Sequence, residues 1–200
     1  MELTWFRRPA DGRPGTLNLC YNALDRHVIA GSAEAPAAVA AAETLDFAHL
    51  LERVSALAGA LRGLGVGPGR PVAIEVDDAL DGLVAQLACA RLAAVYGPLA
   101  DLPEPVLILA SRDVSAGAAV RVLRGLEPAD PTRDIPWELA VRAGREDPAP
   151  CAAVPSDAVA FVADGEPVTV LAALSEPAWA NQWPVMLADG QTVDLDGGTK

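Results

Sequence analysis

The sequence predicts an α/β fold, a parallel sheet flanked by helices, and three observations lead there. Short aliphatic and β-branched runs alternate with stretches of helical period, which is the pattern of strands joined by crossover helices. The length of 200 residues suits one domain with a sizeable core rather than two. Hydrophobic residues make up 52% of the chain and aromatic ones only 4%, so that core is expected to be aliphatic, built from many small contacts.

Residues 1–43 have no regular period and are expected to run as an extended arm, ending in the Ala-rich segment Ser32 to Glu43. Asp46 can then cap a helix in which Phe47, Leu50, Leu51, Val54, Leu57, Ala58 and Leu61 recur at helical spacing, so one face of it must be buried. Gly63 and Gly65 stop this helix, and Gly67-Pro68-Gly69 turns the chain into a buried strand over Pro71 to Val76. A second helix follows from Ala79 to Ala93, capped by Asp77 or Asp78. Ala94 to Tyr96 and Val106 to Ala110 are further strands, Val114 to Leu126 reads as a third helix, and Pro136 to Gly144 as a short fourth. From Ala158 the style changes. Ala158 to Val162 and Val168 to Leu171 flank Asp164-Gly165, and Val185 to Leu187 and Thr192 to Leu195 flank Asp189-Gly190; both dipeptides predict tight β-hairpins.

The formal charge of −12 repels phosphate backbones and anionic lipid surfaces, and the arginines are dispersed along the sequence, so nucleic acid and membrane are not expected partners. Arginine supplies 14 of the 15 cationic residues and the one lysine is Lys200, so no internal lysine can form a Schiff base or reach into a phosphate loop. Residues 1–30 have no uninterrupted apolar run, and a cytoplasmic chain is expected. Cys20, Cys89 and Cys151 are odd in number and far apart in sequence, which argues against a disulfide framework or a zinc site.

Trp5-Phe6, Leu17-Asn18, Tyr21-Asn22 and Leu24-Asp25-Arg26-His27-Val28 form the pattern W-F, LN, YN, LDRHV. Together with Gln86-Leu87-Ala88-Cys89-Ala90-Arg91 and Arg133-Asp134-Ile135-Pro136-Trp137-Glu138-Leu139, this resembles the N-terminal part of the acetyl-CoA/propionyl-CoA synthetase family, AMP-forming members of the adenylate-forming superfamily. The full enzymes are several times longer, so the resemblance implies a fold and not an activity. It implies three parts: an arm over residues 1–43 docked by Trp5, Phe6, Tyr21 and His27, a degenerate α/β domain over 44–167, and a divergent tail over 168–200 that packs on the domain or a partner.

The resemblance also says where chemistry should be. In the family a loop of the form Y-T-S-G-T-T-G-x-P-K follows a strand at this point, and its hydroxyls, backbone N–H groups and lysine hold the ATP phosphates. Here the strand is followed by Ala163-Asp164-Gly165-Glu166-Pro167-Val168: Gly165, Glu166 and Pro167 keep the G-x-P skeleton, Asp164 stands where a Thr would be, and Val168 replaces the Lys. Two carboxylates without a cation invert the electrostatics of a phosphate site. The arginine-bearing segment that helps hold CoA is missing after Val95-Tyr96-Gly97, so no cofactor is expected.

Other groups carry little chemistry. Catalysis by His27 with Cys20 or Asp25 is weighed against a structural corner that docks the arm, and the corner is favoured. Asp77, Asp78 and Asp81 could hold a divalent cation, but a helix start favours acidic residues by itself, and no metal site is expected. His49 lies off the apolar stripe of its helix. Trp137, Trp179 and Trp183 read as core or interface residues, the last two covering a sheet face or a subunit boundary. The expectation is a non-catalytic pseudoenzyme acting through contacts with itself or a full-length acyl-CoA synthetase. Two alternatives stand beside it: a small-molecule binder with a reshaped pocket at the carboxyl ends of the strands, and one polypeptide of a split synthetase.

Overall fold

The computed structural model describes residues 2–41, 43–115, 117, 119–179 and 182–196. Lys200 lies outside them. In chain order the elements are β1 (Thr16–Leu17), a wide helical turn (Tyr21–Asp25), α1 (Arg26–Ile29), β2 (Pro36–Ala40), β3 (Glu43–Asp46), α2 (Phe47–Gly63) and β4 (Pro71–Glu75). There follow α3 (Ala79–Arg91), β5 (Val95–Gly97), β6 (Leu107–Ala110), β7 (Val120–Leu123), β8 (Asp134–Pro136) and α4 (Trp137–Glu146). The last elements are β9 (Val154–Pro155), β10 (Val159–Ala163), β11 (Glu166–Thr169), α5 (Val170–Ser175), α6 (Trp183–Ala188) and β12 (Val193–Asp194).

The main sheet has seven strands in the order β11-β10-β5-β4-β6-β7-β8. It is parallel from β10 to β8, with β11 added antiparallel at one edge. Alternate residues face two unequal layers. Val72, Leu107, Leu109 and Val122 join the larger core with Leu57, Leu61, Leu83 and Leu87 of α2 and α3. Ala73, Ile108, Ala110 and Leu123 face a thinner layer made by Leu102 and Ala119 with Leu99, Val114 and Leu126.

That thin layer reflects a correction. The helix expected over Val114 to Leu126 is not there. Val120–Leu123 is strand β7, paired with β6 and β8, and Gly117 before it has φ +53. Alternating Val120 and Val122 suit a pleated, fully covered strand better than a helix. Arg121 between them is buried and paired with Asp134 of β8, Nε to Oδ1 at 2.8 Å and Nη2 to Oδ2 at 2.6 Å. The parallel sheet is therefore helix-covered on one face and largely loop-covered on the other.

Helix starts agree with the sequence. Asp46 accepts from His49 N and Asp78 from Asp81 N, each satisfying an N-terminal amide of its helix. Gly65, with φ +87, follows the end of α2. Helices α2 and α4 cross at Gly59 and Gly144, where a Cβ on Gly144 would overlap the carbonyl oxygen of Ala56 and lie 2.7 Å from Ala60 N.

The arm and tail are more regular than expected. Part of the Ala-rich segment is β2, hairpin partner of β3, and β12 of the tail pairs with it in parallel to complete a separate three-stranded sheet. The first expected hairpin is present as β10 and β11, whereas the second is a helix end. Asp189-Gly190 closes α6: Gly190 has φ +73, its N–H bonds Leu187 O, and Gln191 N–H bonds Met186 O. This is the Schellman arrangement, which needs the same left-handed glycine as a tight hairpin, so the two are alike in sequence.

Candidate functional site

The segment that would be a phosphate loop is a closed hairpin turn. Asp164 and Gly165 have φ of 51° and 77°, both central residues left-handed as in a type I′ turn, and Ala163 pairs directly with Glu166. Asp164 and Glu166 are exposed at the tip and form no ion pair with a described residue, and Pro167 carries no N–H to offer. Val168 turns inward and is buried in the main core. The tip thus presents two carboxylates where phosphates would need donors.

Behind the hairpin, Phe161 packs against Tyr96 at 5.3 Å between ring centroids and meets Trp179 edge-on at 5.1 Å. Tyr96 Oη is buried without a hydrogen bond to a described residue, and burial raises its pKa well above the usual value. Trp183 donates from Nε1 to Gln86 Oε1 of α3 at 2.6 Å. Both tail tryptophans are half-buried against the domain.

The carboxyl ends of the central strands are filled by paired charges. Glu75 accepts from Leu99 N at 2.7 Å and pairs with Arg112, which also holds Asp77 at 2.6 Å. Asp78 is the cap of α3, and Asp81 pairs with Arg124 at 2.6 Å. Each of the three aspartates considered for a cation has its own partner, so they do not converge. His49 is exposed beside Asp46 at 2.7 Å.

The arm residues separate. The Trp5 ring lies against Gly15, where a Cβ would overlap it, and is half-buried. Phe6 is exposed and touches Tyr21 edge-on at 5.0 Å. His27 stacks on Phe47 at 4.8 Å beside Gly190 of the tail. Burial, then the neighbouring Arg26, lowers its pKa. The sequence pattern includes Asn18 and Asn22 but assigns them no role, and both are fully buried. Asn18 Nδ2 donates to Ala90 O at 2.9 Å, Arg91 O at 3.1 Å and Ala152 O at 2.8 Å, so it holds the end of α3 to the later chain. Asn22 exchanges hydrogen bonds with Thr4, accepting at 2.8 Å and donating at 3.1 Å. Two amides flanked by apolar residues were the available signal.

A cluster also forms where the sequence suggested none. Cys20, Asp25 and Cys151 bring their Sγ and carboxylate atoms within 4.8 Å of one another, although 131 positions separate the cysteines. Arg91 already occupies the centre, binding both Asp25 oxygens at 3.0 and 2.8 Å and lying 3.7 Å from Cys20 Sγ. Hydrogen bonding with Cys20, then burial, pushes the Cys151 thiol up, and burial does the same for Cys89. A guanidinium already bound to Asp25 and lying beside Cys20 fits a structural anchor and opposes a cation.

The AMP-binding enzyme family model matches residues 25–174, three quarters of the chain. The chain belongs to the AMP-binding enzyme family. Curated relatives include an acetyl-coenzyme A synthetase of Burkholderia lata, 42% identical over 41% of this chain and 13% of its own, and one of Burkholderia mallei, 44% identical over the same shares. The chain thus matches about an eighth of these relatives' length. An anthranilate CoA ligase solved in complex with anthranoyl-AMP superposes with a TM-score of 0.59 over 72% of this chain and 31% of its own, at 15% identity. At that identity the likeness is one of fold alone. Among the described residues no helix is long and apolar enough to cross a membrane.

Proposed function

We propose that this member of the AMP-binding enzyme family is a non-catalytic, cytoplasmic pseudoenzyme that works through protein contacts, with a second copy of itself or with a full-length acyl-CoA synthetase. The observation that supports the first half is the hairpin at Asp164-Gly165. A type I′ turn aims no row of backbone donors at a phosphate, its flanking carboxylates repel one, and Val168 is turned into the core. Relatives are named as acetyl-CoA synthetases, and the contact reading extends that kinship to assembly with one.

For the contacts themselves, the supporting surface is the outer side of α4. Leu139 is 52% exposed and borders a groove of about 370 Å³ with Ile135, Ala143, Gly63 and Leu64. A large exposed aliphatic residue beside glycine and alanine suits a small apolar knob from another chain.

Calorimetric titration with Mg-ATP tests the first half: no saturable heat is expected, and a dissociation constant in the micromolar range defeats it. Mass measurement in solution, alone and with a full-length acetyl-CoA synthetase, tests the second. Association that Leu139→Asp abolishes is expected; a monomer that ignores the synthetase overturns the contact reading.

A further inference from the structure

The other flank of α4 borders a cleft of about 390 Å³ between α2, α3 and α4, open at the carboxyl ends of β7 and β8. Four of the chain's 14 arginines converge on it: Arg53 from α2, Arg124 from the end of β7, and Arg142 and Arg145 from α4. These residues come from three separate stretches of sequence, which is why their convergence is invisible along the chain.

Their pairing is uneven. Arg53 is held by Glu43 in a two-point contact at 2.8 and 2.6 Å, and Arg124 by Asp81 at 2.6 Å and by Glu138. Glu138 lies one helical turn before Arg142 and could pair with it, yet it is engaged by Arg124 instead. Arg142 and Arg145 are exposed and form no ion pair with a described residue. Arg145 near the end of α4 is favoured by the helix dipole; Arg142, a turn earlier, gains less from it and sits beside a like charge. In a chain of net charge −12, two unpaired cations at the mouth of a concave wall are a local reversal of the protein's field.

We infer that this cleft binds a small organic dianion, with phosphate monoesters as the best fit. The planar guanidinium fork matches phosphate and carboxylate oxygens in two-point contacts, and Arg142 and Arg145 have that capacity unspent. Val84, Val141 and Trp137 line the remaining wall, so the anionic group carries a compact apolar body. The volume lies at the small end of the range for small-molecule sites, too small for a folded partner. The site is also distinct from the phosphate-loop position: β7 and β8 lie at one edge of the sheet and the β10–β11 hairpin at the other. It therefore goes beyond the contact reading above and does not depend on it.

The test is calorimetric titration of the full chain at low ionic strength with phenyl phosphate, inorganic phosphate and succinate, and with phenol as the uncharged control. Phenyl phosphate is expected to bind saturably and phenol not at all. The double variant Arg142→Gln/Arg145→Gln is expected to weaken that binding about tenfold or more, as loss of two charge-assisted hydrogen bonds implies, with an unchanged melting midpoint because both side chains are exposed. Phenyl phosphate tighter than succinate assigns the site to phosphate monoesters; equal affinity assigns it to compact dianions in general. Absence of saturable binding by any dianion, or equal affinity in the double variant, overturns the inference.

Discussion

Ala93 shows how one side chain departs from what its position asks for. Helix α3 ends in the same arrangement as α6: Ala94 N–H bonds Cys89 O, Ala93 N–H bonds Ala90 O, and the residue between cap and strand is left-handed. At α6 that residue is Gly190; at α3 it is Ala93, with φ 54. A Cβ in the left-handed region costs about 1–2 kcal/mol, while glycine costs some unfolded-state entropy in return. Ala93→Gly is therefore expected to raise stability by about 1 kcal/mol, read as a higher denaturation midpoint. A lower midpoint would show that the contacts of the buried Ala93 methyl outweigh the strain. Nothing in the local sequence singles out this alanine, and its left-handed backbone is visible only in the structure.

At the scale of elements, the crossing of α2 and α4 rests on two glycines. Gly59 and Gly144 let the backbones touch, and a Cβ on Gly144 has no flexible side chain to push aside, only the backbone of Ala56 and Ala60. Gly144→Ala is expected to cost about 3 kcal/mol or more by forcing the helices apart, whereas Gly63→Ala, with nothing within 4 Å, is expected to be neutral or to gain up to about 1 kcal/mol. Chemical denaturation of the two variants checks the pair, and equal midpoints would remove the close crossing from the account. The same scale shows what local sequence can convey. Helices α2 and α3 were legible because cap, period and stop agree over many residues. Strand β7 was not, since Val120–Leu123 is short and its burial depends on β6 and β8, which flank it from other parts of the chain. The second Asp-Gly was misread for a related reason: a left-handed glycine serves a hairpin and a helix end equally. Of the candidate site, the hairpin turn at Asp164-Gly165 could be read from its Asp-Gly dipeptide. The Arg91 anchor and the four-arginine cleft could not, because only the tertiary fold unites their members.

For the whole molecule, the question is how a chain matching a small share of its relatives' length closes its own core. The tail supplies much of the answer. Helix α6 packs on the turn Tyr21–Asp25, with Leu187 and Ala188 fully buried, and Arg26 donates to Ala188 O. Strand β12 then adds to β2, Thr192 Oγ1 donates to Pro36 O at 2.8 Å, and Ala41 N donates to Asp196 at 2.8 Å. Trp183 reaches across to α3 through Gln86. These contacts join the last part of the chain to the first, so arm and tail form one layer over the domain. Removing residues 174–200 is thus expected to do more than lose the tail: it uncovers Ala38, Leu24 and His27, and leaves β2 an open edge. The truncated chain is expected to aggregate, and limited proteolysis is expected to cut the arm between Ala30 and Glu43 far sooner than in the full chain. A truncated protein that stays soluble, with unchanged stability and an equally resistant arm, would mean that α2, α3 and the main sheet hold the arm without help, and that the tail is dispensable to the fold.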